Sequence, residues 1–126
     1  MNDSEFTEYY RKRGIILKRE QGQATATQVV EDDHLNTMGS LHGGFITSLM
    51  DTCGCYALKT SDDIHPVTLN IQISFVNPVK ATGQSIETRA KVIKLGSSLG
   101  HCQIETYSEG KIIAIGNLQA FIIRDN

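Results

Sequence analysis

The sequence predicts an α+β fold in which one long helix packs on an antiparallel sheet. Three observations carry this. Apolar residues recur with helical spacing from about residue 43 to about residue 60. From Val67 onward the period switches to two, and the strand-like segments after it are separated only by short turns. At the amino-terminal end, residues 1–14 read as an amphipathic helix, with Phe6, Tyr9 and Tyr10 on one side and Gly14 as its stop. Residues 25–31 suggest a first strand. A loop rich in turn formers follows, with Asp32, Asp33, Asn36 and Gly39, and leads into the long helix. In the next segment Val67, Leu69, Ile71, Ile73 and Phe75 alternate with Thr68, Asn70, Gln72 and Ser74, the pattern of a half-buried strand. Pro78 and Gly83 bracket a turn, and strands are expected over 85–95, 100–107 and 111–123.

At 126 residues the chain is one domain's worth, and residues 1–126 are read as a single domain with its core over 24–123. A formal net charge of −2, with 40% hydrophobic and 21% charged residues, gives no global attraction to nucleic acid or anionic membrane. Charges at Asp3, Glu5 and Glu8 with no apolar run behind them argue against a signal peptide or a membrane span, so a cytoplasmic protein is expected. Cys53, Cys55 and Cys102 are an odd number and are expected to be reduced.

On a helical wheel Phe45, Ile46, Leu49, Met50, Cys53, Tyr56 and Ala57 fall within a sector of about 140°, the stripe of a helix lying on a sheet. The other side carries Thr47, Ser48, Asp51, Thr52, Gly54 and Cys55, small and uncharged apart from Asp51. Such a face is expected to be covered by a partner subunit or a ligand, and Gly54, which costs a helix about 1 kcal/mol relative to alanine, is read as the point of close approach. Partial desolvation there would make Asp51 a better proton acceptor than a free surface carboxylate.

His42-Gly43-Gly44 stands at the start of this helix, where backbone N–H groups lack intrahelical partners and the dipole is positive. Glycine lets a carbonyl oxygen approach those amides, and His42 offers a further donor. Eight residues at about 1.5 Å per residue separate Gly43 from Asp51 by about 12 Å, too far for one carbonyl group. Two antiparallel helices related by a two-fold axis remove the difficulty, with Gly43 of one subunit facing Asp51 of the other.

The spacing Asn36-x-x-Gly39-x-x-His42-Gly43-Gly44, Asp51 on the following helix, and the strand around Val67-Thr68 together resemble the hotdog-fold acyl-CoA thioesterases of the phenylacetic-acid-degradation type over roughly residues 24–123. The resemblance implies a curved antiparallel sheet wrapping the helix, dimers joined sheet edge to sheet edge, and commonly a dimer of dimers. It implies Asp51 as general base or nucleophile, the Gly43 N–H as oxyanion donor, His42 beside the thioester, and Asn36 placing the carbonyl or water. Thr68 stands where the family often has a serine that positions water.

Taken singly each residue has an ordinary structural explanation: a satisfied buried acid, a tight turn before a helix, an Asn cap, a β-branched strand residue. Metal binding is not expected, since no Cys-x-x-Cys pair joins His34, His42, His65 and His101, and the two thiols of Cys53-Gly-Cys55 lie about 200° apart on a helix. His65 reads as a loop residue and His101 as a strand edge. No resident cofactor is expected, and coenzyme A enters as part of the substrate. Lys80, Lys91, Lys94 and the turn Gly96-Ser97-Ser98 are candidates for its phosphates, and Gly44, Lys94, Gly96, Ser97 and Ser98 are the expected substrate contacts. The expected function is acyl-CoA hydrolysis. The alternatives are a non-catalytic acyl-CoA or aromatic ligand binder and an enoyl-thioester hydratase.

Overall fold

The computed structural model describes residues 2–80 and 82–126; Met1, the first residue of the expected N-terminal helix, and Ala81 lie outside the described residues. Helix α1 spans Asp3–Arg11, opened by the Asn2 side chain, which accepts from the Glu5 N–H at 2.9 Å. Strands β1 (Ile15–Glu20) and β2 (Gln23–Val29) form a hairpin, a short 3₁₀ turn covers Asp32–His34, and α2 spans Gly43–Leu58. Strands β3 (Ile64–Phe75), β4 (Ser85–Leu95), β5 (Leu99–Ser108) and β6 (Lys111–Arg124) complete one antiparallel sheet in the order β1-β2-β4-β5-β6-β3.

Helix α2 lies across β2, β4, β5 and β3. Its Ile46, Leu49, Met50, Cys53, Tyr56, Ala57 and Leu58 are buried against Ala26, Ile86, Ile104, Leu118 and Ala120 of the sheet. Each buried Leu or Ile contributes roughly 1.5–3 kcal/mol, so this face holds the layers together. Inside the sheet Thr88 and Thr106 bond each other at 2.8 Å, which satisfies two buried hydroxyls.

Several expectations need correction. The sheet begins one strand earlier than expected, because β1 follows directly after Gly14, whose φ of +83° lets the chain reverse from α1 into the hairpin. The strand expected over residues 25–31 is therefore the second one, and it ends at Val29. Tyr9 is 43% exposed, with Arg13 over its ring, while Phe6 and Tyr10 pack inward. Gly54 does not face away from the sheet: a Cβ there would stand 2.9 Å from Ile104 Cδ1 and 3.3 Å from Leu118 Cδ1, so its missing side chain lets helix and sheet close together. His65 belongs to β3, not to a loop, and His101 lies in β5 between β4 and β6.

Strand β3 also departs from plain alternation. Thr68 pairs with Ala120 and Asn70 with Gln119, which leaves Leu69 as an extra residue in a bulge. The inserted residue shifts the phase by one. Thr68 turns toward α2, Val67 and Leu69 are 48% and 47% exposed, and beyond the bulge Ile71 and Ile73 pack on the core.

Candidate active site

The loop before α2 is stapled to the helix start. Leu35 and Leu41 bridge, Asn36 N–H donates to Ser40 O at 2.7 Å, and His42 N–H donates to His34 O at 2.8 Å. The His34 ring stacks on Phe45 with centroids 4.0 Å apart, and its Nδ1 accepts from Glu31 N–H. Sequence reasoning considered His34 only as a metal ligand; its packing on Phe45 carries no short-range signal. Asn36 Oδ1 accepts from the amides of Met38 and Ser40 at 2.9 and 3.1 Å, an Asx turn that shapes the loop, and Gly39 takes the φ of +77° that the turn needs.

His42 is the N-cap of α2. Its Nδ1 accepts from Gly44 N–H at 2.9 Å, so the proton of the neutral ring sits on Nε2 and remains available as a donor. The amide of Gly44, an expected substrate contact, is thereby already engaged. A Cβ on Gly44 would stand 3.1 Å from His42 Nδ1, so glycine makes room for the cap. Phe45 and Ile46 donate to His42 O. The Gly43 N–H, at the first position of α2, meets no acceptor among the described residues.

Asp51 lies two turns further on, half-buried on the side of α2 that meets the edge strand β3, with Thr47 and Cys55 one turn to either side on the same face. Thr68, carried inward by the bulge, donates its hydroxyl hydrogen to Asp51 Oδ1. Cys55 Sγ stands 3.2 Å from Thr68 Oγ1 and 4.0 Å from Asp51 Oδ1. Burial pushes the Cys55 thiol up to about 11, against the opposing Thr68 hydrogen bond, so the thiol stays protonated near neutrality. Cys55 was missed as a site residue, although its place four residues after Asp51 puts both on one face. Cys53 and Cys102, which burial raises to about 12, bond backbone carbonyls within the core.

Four of the five expected substrate contacts stay together, apart from Gly44 at the helix start, whereas the other candidate phosphate lysines lie elsewhere. Lys94, Gly96, Ser97 and Ser98 line one cavity of about 490 Å³ with His101 and Gln119. Its floor strand reaches the carboxyl end of α2, since a Cβ on Gly100 would meet Leu58. Lys80 and Lys91 lie in two other depressions, the first beside Ser108 and Glu109, the second beside Lys18 and Arg89.

Residues 38–114, more than half of the chain, match the thioesterase superfamily. A curved antiparallel sheet around one long helix is the hotdog architecture of that class of thioester hydrolases, and the chain belongs to the thioesterase superfamily. Among its relatives is human acyl-coenzyme A thioesterase 13, 32% identical over 104 residues that cover 80% of this chain and 74% of that protein. Similar solved structures include a mutant of the phenylacetic acid degradation protein PaaI from Thermus thermophilus, at 27% identity and a TM-score of 0.81, covering 90% of this chain and 97% of that one. The thioesterase HI1161 from Haemophilus influenzae gives 26% identity and a TM-score of 0.80, covering 88% and 79%. Among the described residues no helix is long and apolar enough to cross a membrane.

Proposed function

We propose that this chain hydrolyses acyl-CoA thioesters to a free carboxylic acid and coenzyme A as a homodimer whose sites lie between the subunits. The observation that carries the proposal is the Asp51 carboxylate on the half-open face of α2, oriented through Oδ1 by the Thr68 hydroxyl, with no donor to Oδ2 among the described residues. A carboxylate fixed at one oxygen and open at the other suits a proton acceptor or a nucleophile. In the first route Asp51 takes a proton from water as its oxygen attacks the thioester carbon; in the second a carboxylate oxygen attacks directly and water then cleaves the mixed anhydride. The oxyanion of the tetrahedral intermediate is received by the Gly43 N–H and the His42 Nε2–H of the partner subunit, and its collapse expels the thiolate, which takes up a proton. The separation of about 12 Å along α2 supports the two-subunit site. Asn36 acts through its amide NH₂, since its Oδ1 is already engaged by the loop.

The cavity at Lys94, Gly96, Ser97 and Ser98 is assigned to the coenzyme A phosphates, which the Lys94 ammonium and the Ser97 and Ser98 N–H groups suit, the Gly96 N–H being bonded to Leu99 O. The outward faces of Val67, Phe121 and Leu99 align across β3, β6 and β5 with Ile123 beside them, an exposed apolar band that supports a dimer of dimers. Residues 1–126 act as one domain, and the three free thiols suit a reducing compartment such as the cytoplasm. A panel of acyl-CoA thioesters scored for thiol appearance tests the function: catalytic thiol release is expected. Tight binding without release, or water addition to an enoyl thioester with no thiol, overturns it.

A further inference from the structure

Asp51, Cys55 and Lys59 stand at i, i+4 and i+8 of one helical row, which puts Lys59 about 12 Å from Asp51 along the axis. Beyond Cys55 this row borders a cavity of about 270 Å³ lined by Phe6, Cys55, Lys59, His65 and Pro66. Its roof is α1, fastened in place because Phe6 stacks on Tyr56 at 5.3 Å and Asp3 pairs with Arg19, whose guanidinium covers the same Tyr56 ring. The volume exceeds the roughly 150 Å³ that accepts a benzene ring, so it is large enough for the far end of an acyl group. Its thiol wall is shared with the Asp51 and Thr68 pair.

The cavity is not simply apolar. Lys59 is only 5% exposed, and its ammonium donates to Ile64 O at 2.7 Å and Asp62 O at 3.2 Å. Two of its three N–H bonds are thereby used, both on neutral carbonyls. No carboxylate among the described residues forms an ion pair with it; Asp62, Asp63 and Asp125 are exposed, and Asp125 pairs with His65. Taking a charge out of water without a counter-charge is costly, and an anion entering this cavity supplies one. Solvent screens the three exposed aspartates far more than it would screen an ion beside the buried ammonium.

Resting on the hydrolase reading above, we propose that this cavity receives the far end of the acyl group and that Lys59 selects substrates ending in a carboxylate, the mono-CoA thioesters of dicarboxylic acids. The test is kcat/KM for wild-type protein on matched pairs: glutaryl against pentanoyl, adipoyl against hexanoyl, suberyl against octanoyl-CoA. At one chain length the carboxylate member is expected to lead at least tenfold, with omega-hydroxyhexanoyl-CoA below adipoyl-CoA. Lys59→Met is expected to bring the paired values together, its fold checked by circular dichroism; should it not fold, the wild-type panel decides alone. Preference for the apolar member at every length, or a hydroxyl equal to the carboxylate, overturns the assignment while leaving hydrolysis standing. Absence of thiol release from every thioester removes the hydrolase reading and this inference with it.

Discussion

Replacing Asp51 by Asn changes one atom's chemistry and almost nothing of the packing. The Thr68 hydroxyl donates to Asp51 Oδ1, and the carbonyl oxygen of an asparagine accepts the same bond, so Cys55 and Thr68 keep their neighbour. What disappears is the oxygen able to take a proton or attack carbon. A positioned general base contributes about 10²–10⁴ in rate. At 1.36 kcal/mol per tenfold the variant's barrier rises by about 2.7–5.4 kcal/mol. Because the side chain is only half-buried and its bond to Thr68 persists, stability is expected to move by less than about 1 kcal/mol. Steady-state thiol release should show kcat down at least a hundredfold with KM little changed, alongside an unaltered thermal melt. A kcat within threefold of wild type refutes the role of Asp51; unchanged kcat with a raised KM reassigns it to binding.

Gly43 occupies the first position of α2, where proline is tolerated, and His42 already has the extended ψ of 129° that a following proline requires. Gly43→Pro therefore deletes one N–H while bringing a Cβ to 3.3 Å from the exposed Phe75 ring, which must shift slightly, and kcat should fall about 10²–10³ with the helix intact by circular dichroism. Mixing inactive Asp51→Asn and Gly43→Pro subunits under exchange should restore activity at about a quarter of the sites, since a heterodimer pairs one intact carboxylate with one intact amide; no recovery places both groups in one subunit. A Cβ at Gly116 would stand 2.3 Å from the Gln72 carbonyl oxygen, so Gly116→Ala should part β6 from β3 and cost at least about 2 kcal/mol in a denaturant melt, and an unchanged midpoint contradicts the tight approach. The thiols of Cys53 and Cys102, raised by burial to about 12, and of Cys55, raised to about 11, exceed the usual 9.0. Folding therefore favours their protonated forms; this contribution is complete below pH 9 and is lost as pH rises through 11 to 12, so stability should decline over that window, less in a Cys55→Ser variant.

How much the sequence disclosed depended on whether its signals were local. The Gly43 helix start, the Asp51 face and strands β4 to β6 were legible because period and turn chemistry are written in consecutive residues. Strand β1 escaped because Ile-Ile-Leu-Lys-Arg-Glu is short, charged at its end, and becomes a strand only by pairing with β2. Gly54 was assigned to the wrong face because a glycine's neighbour is set by Ile104 and Leu118, fifty and more positions away. The engaged amide of Gly44 and the Asx turn of Asn36 depend on side-chain rotations that residue type leaves open. Thr68 lay opposite Val67 and Leu69 in a plain alternation, and only the extra residue at Leu69 explains why it meets Asp51.

That inserted residue makes β3 a strand with two phases, set by a single peptide unit. Shortening the chain by one residue there would leave eleven other residues of the strand in sequence and yet rotate its first half by half a turn, hiding Val67 and expelling the hydroxyl from its carboxylate. Chain length at this point works as a selector for which functional group the acid meets, so insertions and deletions near Leu69, more than substitutions, are the changes by which this scaffold would exchange one hydrogen-bond partner of the acid for another.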